Sequence, residues 1–211
     1  YVTSIAASKR HPAAFYTVKD VRRKLGSGVG SLGRQRYYVL VEGASSSTSD
    51  DVLLEFKQQA ASAVAQTVPG NLPATCYGSH EGQRVARTSK AQVLNADVLI
   101  GWTSVGGQPY WIHEKSPYQE DVDATAFDGA GKLDTAAAYF GQALASAHAL
   151  ADQDYDASVV SYSIDKQVSD AITSKSGLKT EIADFAFAYA DQVELDWAAF
   201  VDAYEAGVPL Y

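Results

Sequence analysis

The stretch Lys24–Gly43, KLGSGVGSLGRQRYYVLVEG, decides how the N-terminal half of the chain folds. Its Gly28-x-Gly30-x-x-Gly33 spacing matches a loop whose bare backbone closes over phosphate oxygens. Two architectures use such a loop, and the flanking residues separate them. In a dinucleotide fold the loop opens a helix, whose N-terminus holds the pyrophosphate. That needs helix formers after Gly33. The chain instead continues RYYVLVEG, rich in β-branched and aromatic residues. In the kinase arrangement the glycine loop joins two antiparallel strands, and a lysine on the next strand meets the phosphates. That order fits here.

Working outward, the segment before the loop, FYTVKDVRRKLG from Phe15, reads as a strand. After the loop, Tyr37, Val39 and Val41 share one strand face, with Tyr38, Leu40 and Glu42 on the other. A polar linker, ASSSTSDD, leads to DVLLEFKQQA, a third strand. There Val52, Leu54 and Phe56 oppose Leu53, Glu55 and Lys57. The short links predict an antiparallel meander. A short helix is expected in QQAASAVAQ, broken by VPGNLP. A longer helix is expected over about His80 to Leu94, with a capping signal at Ser79. DVLIGWTSVGGQPYWIHEKSP then predicts a hairpin turning at Gly106-Gly107, stopped by Pro117.

The remainder reads as helical. Leu133, Ala137, Phe140, Leu144 and Ala147 form one stripe. Ile182, Phe185, Tyr189, Val193, Trp197, Phe200 and Tyr204 form a second, in a helix ended by Gly207 and Pro209. The expected fold is α+β: an antiparallel five-stranded, kinase-like small lobe followed by a helical lobe. The expected divisions are a lead-in over 1–14, a β-rich lobe with the glycine loop over 15–117, and a helical lobe over 118–211.

Composition narrows the function classes. The 211 residues carry 17 Lys plus Arg against 25 Asp plus Glu, a formal charge of −8. An acidic chain lacks the cation surplus that general nucleic-acid binding needs. No apolar run is long enough to span a bilayer. The one cysteine, Cys76, has no intramolecular disulfide partner, and no Cys/His spacing suits zinc. A reduced, cytoplasmic setting is the expectation. The chain has no methionine, which predicts a fragment or a processed chain with a segment of the same protein upstream.

The candidate ligand-binding residues follow from the kinase-like order: Gly28, Gly30, Ser31 and Gly33 in the loop, Lys57 on the third strand, and Glu81 or Glu114 as its acidic partner. A lysine among apolar neighbours is costly to bury unpaired, so it calls for a carboxylate or a phosphate. The expected ligand is ATP with Mg. Catalytic residues are not identified: after the first long helix there is no His-x-Asp with a following Asn, and no Asp-Phe-Gly. Phe127–Gly131 reads as a turn. Asp152-x-Asp154-x-Asp156 lacks the Gly and distal Glu of a calcium loop and reads as a solvated connection. His11, His80, His113 and His148 sit in no recognisable nucleophile motif. The glycines can equally be simple turns, and the chain a non-catalytic scaffold with the aromatic C-terminal helix as its docking surface.

Several of these segments, GSGVGSLGRQRYYVLVEG, LLEFKQQA, EGQRV and above all DFAFAYADQVELDWAAF, resemble the bacterial family DUF2252 from about Val18 onward. Tyr189, Ala190, Asp191, Gln192 and Asp196 carry the most specific part. The resemblance implies a longer protein of about twice this length. Its N-terminal half would bring a Gly-Asp-x-His-x-x-Asn segment and an Asp-rich segment, placed before the glycine loop. Such an order would be a permuted kinase-like phosphotransferase acting on a small-molecule or protein acceptor. Lys57-Gln58-Gln59 departs from the usual Lys-Glu-Ala, and Arg87 and Lys90 stand where the family often has Glu and Arg. These departures leave a non-catalytic member open.

Overall fold

A computed structural model of the chain describes residues 1–26, 29–31, 33–64, 77–118 and 122–209. Gly28, Cys76 and the expected break at Val68–Pro73 lie outside the described residues. The glycine stretch is flanked as the β-rich reading requires. Strands β1 (Val18–Arg23) and β2 (Arg36–Val41) pair antiparallel across it. β3 (Val52–Gln58) pairs with β2, and β5 (Gln108–Glu114) with β3. β4 (Gly101–Val105) closes the order β1-β2-β3-β5-β4, all antiparallel. The β4–β5 turn is Gly106-Gly107, at φ +58° and +77°, values a two-residue turn of matching twist demands and glycine supplies freely.

The alternation along β2 and β3 sorts the two sheet faces. Val39, Val41 and Leu54 enter the core with Ile112 of β5, while Val52 and Phe56 pack at its margin. The other core members are Ile5, Phe15 and Leu99. Residues 1–14 therefore belong to the packing. They wind through short 3-10 turns, Tyr1 donates its hydroxyl to the Leu99 carbonyl, and Ser4 Oγ accepts from Trp102 N at 2.9 Å.

Helix α1 (Glu81–Gln92) packs on β5 and β4. Two small residues one turn apart, Gly82 and Ala86, are buried. A Cβ on Gly82 would run into the Tyr110 carbonyl, so glycine sets how closely this helix approaches the strand. The cap is His80 rather than Ser79. Ser79 lies in the left-handed region at φ +56°, and the His80 ring nitrogen accepts from Gln83 N at 3.1 Å.

Four helices complete the chain: α2 (Ala130–Leu150), α3 (Gln153–Asp156), α4 (Ile164–Ala171) and α5 (Lys175–Glu205). α2 packs on α1, α3 and α4. Asp152, expected in a solvated connection, is instead buried. Its carboxylate accepts from Asp154 N (2.9 Å), Ile164 N (2.7 Å) and Asp165 N (3.3 Å), satisfying the starts of α3 and α4 together. α5 begins at Lys175, seven residues before the first member of its expected stripe, Ile182, because Ser174 caps it through Gly177 N at 3.1 Å. Neither α2 nor α5 contains a buried residue.

Candidate functional site

The β1–β2 hairpin is closed by Lys24 N donating to Arg36 O at 2.9 Å. Within the loop, Val29–Ser31 makes a 3-10 turn, and Arg34 N donates to Ser31 O at 2.9 Å. Gly33 takes φ +74°, where a side chain would be strained. A Cβ on Gly30 would meet nothing within 4 Å among the described residues. Ser31 Oγ accepts from Arg36 Nη2. The loop is thereby tied to the first residue of β2.

The register places Lys57 beside that residue. On β3, Lys57 faces Arg36 of β2 on one side and Trp111 of β5 on the other. Its ammonium lies 5.0 Å from the centre of the Trp111 ring, within reach of a cation–π attraction. Two residues back, Glu55 lies between Tyr38 and His113 in the same register. These side chains share the sheet face opposite the core.

Glu55 is the centre of the arrangement and is 2% exposed. Lys57 Nζ is 3.2 Å and His113 Nε2 3.3 Å from its Oε2. Lys24 Nζ is 3.5 Å and Arg36 Nη1 3.8 Å from its Oε1. Lys24 also lies over the Tyr38 ring at 5.1 Å. Burial alone would raise the Glu55 carboxyl. The charge and hydrogen bonding of Lys57, joined by Lys24 and His113, outweigh it and hold the group below its ordinary value. All four distances exceed the 2.7–2.9 Å usual for a charge-assisted hydrogen bond. One carboxylate is thus shared among cations, and none of them is closed down on it.

His113 is held on two sides. Its ring stacks on Trp111 at 4.5 Å, and Nδ1 lies 2.7 Å from the Glu114 carbonyl. Burial and then Lys57 push its pKa down, against Glu114 O, Glu55 and Asp97. Trp111 Nε1 and His113 Nε2 are buried without a hydrogen-bond partner among the described residues.

The expected acidic partners sit elsewhere. Glu81, in the first turn of α1, pairs with Arg84 at 2.6 Å. Glu114 ends β5 one residue past His113, on the opposite face by strand alternation. Burial and the neighbouring Asp97 raise its carboxyl. The structure brings together Ser31 and Lys57 through Arg36 and Glu55, and supplies neither Glu81 nor Glu114 as the ion-pair partner of Lys57. Glu55, Arg36, Lys24 and His113 were not singled out from the sequence. The signal was there in part: Glu55 and Lys57 alternate on the polar face of a central strand.

Chemically, Lys24, Arg36 and Lys57 carry three fixed positive charges against the one negative charge of Glu55. Their donors far outnumber the lone pairs Glu55 offers. The arrangement suits an oxyanion ligand. Among the described residues no group of His, Cys, Asp or Glu is placed to hold a metal ion, and no helix is long and apolar enough to cross a membrane.

No curated protein and no solved structure matches the chain. A family model described as an uncharacterised protein conserved in bacteria, DUF2252, matches residues 1–203, nearly the whole length. This chain, with its glycine hairpin set beside a shared buried carboxylate, belongs to the DUF2252 family.

Proposed function

We propose that the sheet face beside the glycine hairpin binds the phosphates of a nucleotide, in the manner of a kinase small lobe. The observation that carries this reading is the convergence of Lys24, Arg36, Lys57 and His113 on Glu55, with Arg36 tied to Ser31 of the loop. The element order supports it: strand, glycine loop, strand, lysine-bearing strand, helix. Backbone N–H groups around Gly30 and Gly33 would contact the phosphates, with Lys57 beside them. The preferred ligand is ATP, and the divalent ion would arrive on its phosphates. Glu55 takes the part expected of Glu81 or Glu114, holding Lys57 in place. Phosphotransfer to a small-molecule or protein acceptor would also need a base and metal-holding carboxylates, which the resemblance puts upstream of the loop.

The test is thermal. ATP with Mg should raise the melting temperature, and Lys57→Ala should remove the rise. No rise at millimolar nucleotide would end this reading. A second reading, a non-catalytic interaction domain, draws on the exposed rings of α5, where Phe185 stacks on Tyr189 at 5.5 Å and Trp197 on Phe200 at 5.9 Å. A stable dimer indifferent to nucleotide would favour it.

A further inference from the structure

The Glu55–His113 contact has an unusual proton arrangement. A carbonyl oxygen can only accept, so the 2.7 Å contact to Glu114 O puts the proton of neutral His113 on Nδ1. Nε2 then presents a lone pair to Glu55 Oε2 at 3.3 Å. In the neutral ring two buried acceptors face each other, and among the described residues Nε2 has no other hydrogen-bond partner. Leaving such a group unsatisfied costs free energy, which a proton at Nε2 would recover.

The surroundings weigh both for and against that proton. Lys57 on β3 competes for the same Glu55 oxygen at 3.2 Å. Lys24, following β1, and Arg36 on β2 add positive charge at the other oxygen. Burial disfavours the imidazolium too, while Glu55 and Asp97 favour it. The balance turns on how much positive charge near Glu55 stays uncompensated.

We propose that the site takes up a dianionic phosphate or sulfate group together with one proton, which His113 receives at Nε2 and shares with Glu55. The anion would draw Lys57 and its neighbours off the carboxylate. Glu55, losing a cation, would gain the imidazolium as its new partner. Glu55 and His113 are then positioning residues: they hold Lys57 while the site is empty and accept the compensating charge when it fills. The only step is proton binding, from solvent to Nε2, and no covalent bond changes. The sign follows. Filling the site raises the His113 pKa, so affinity rises as pH falls through the His113 midpoint in the complex and levels off below the midpoint of the free protein.

This inference rests on the anion-binding reading above. The experiment is a histidine-resolved NMR pH titration of the full chain, alone, with MgATP and with sulfate. Sulfate stays dianionic throughout the range and separates the titration of the ligand from that of the protein. The His113 signal is the one missing from H113Q. On saturation with either probe its midpoint should rise by roughly one pH unit or more. H113Q should lose the pH dependence of sulfate affinity that the unmodified chain shows between the free and bound His113 midpoints. In the free protein, E55Q should lower the His113 midpoint further. Saturable binding with an unmoved His113 midpoint would overturn the inference and leave the anion site standing. Absence of binding by both probes would overturn the anion site and this inference with it.

Discussion

The two halves of the chain use similar proportions of large apolar residues to different ends. In the β-rich half, Leu54, Val41, Ile112 and Tyr110 are sealed from solvent. In the helical half the stripe of α2 stays open, with Leu133, Phe140 and Leu144 exposed, and α5 holds Phe185 64% and Trp197 62% exposed. The difference is one of pairing distance. Backbone hydrogen bonds set each strand against its neighbour at a fixed spacing, and the four pairings of this sheet already bury a face. A helical stripe needs a second surface of matching width, and its own spacing says nothing of where that surface lies.

Mutations sharpen the contrast. Leu54→Ala removes a buried side chain from the centre of the sheet and should cost about 2–5 kcal/mol of unfolding free energy, read by urea denaturation. Gly82→Ala should cost about 1–3 kcal/mol by the same measurement, since its Cβ meets the Tyr110 backbone and the helix must shift. Asp152→Ala should lower helical content with smaller effect on the sheet, seen by far-ultraviolet circular dichroism against core tyrosine signals. The Asp154 N–H holds the Asp152 pKa down, aided by Asp165 and Ile164 against desolvation. A depressed folded pKa means that this contribution is present above the ordinary carboxylate pKa and fades as pH falls through the folded value. The Asp152→Ala defect should therefore shrink in acid. Phe185→Ala should change stability by at most about 0.5 kcal/mol. A loss comparable to that of Leu54→Ala would show that α5 packs as tightly as the sheet and would break the comparison.

The β-rich half was the more legible in the sequence, for the same physical reason. Period-two alternation put Val39 and Val41 on one face of their strand and separated Leu54 from Glu55 and Lys57 on theirs, and RYYVLVEG spoke against a helix after the glycines. The cluster itself was not legible. Glu55 and Lys57 meet Arg36, Tyr38, Trp111 and His113 only through the registers of β2, β3 and β5. A one-residue slip would turn each away, and the long connections 42–51 and 59–107 leave register open to the sequence reader. The partner of Lys57 is therefore Glu55, two residues away on the same strand, and neither the helix carboxylate Glu81 nor the strand-end Glu114. In the helical half, α2 and α5 were visible by period. α4 is too short to announce itself, and the double cap by Asp152 depends on a contact spanning residues 152 and 164.

The most direct test of the glycine hairpin and the Glu55-centred cations as a phosphate site is equilibrium dialysis of the chain against MgATP. We expect saturable binding of one nucleotide per chain, weakened about tenfold or more by Lys57→Ala, as loss of a charge-assisted contact of about 1.5–3 kcal/mol requires, and untouched by Phe185→Ala. Binding that is absent, or that survives Lys57→Ala unchanged, would contradict it.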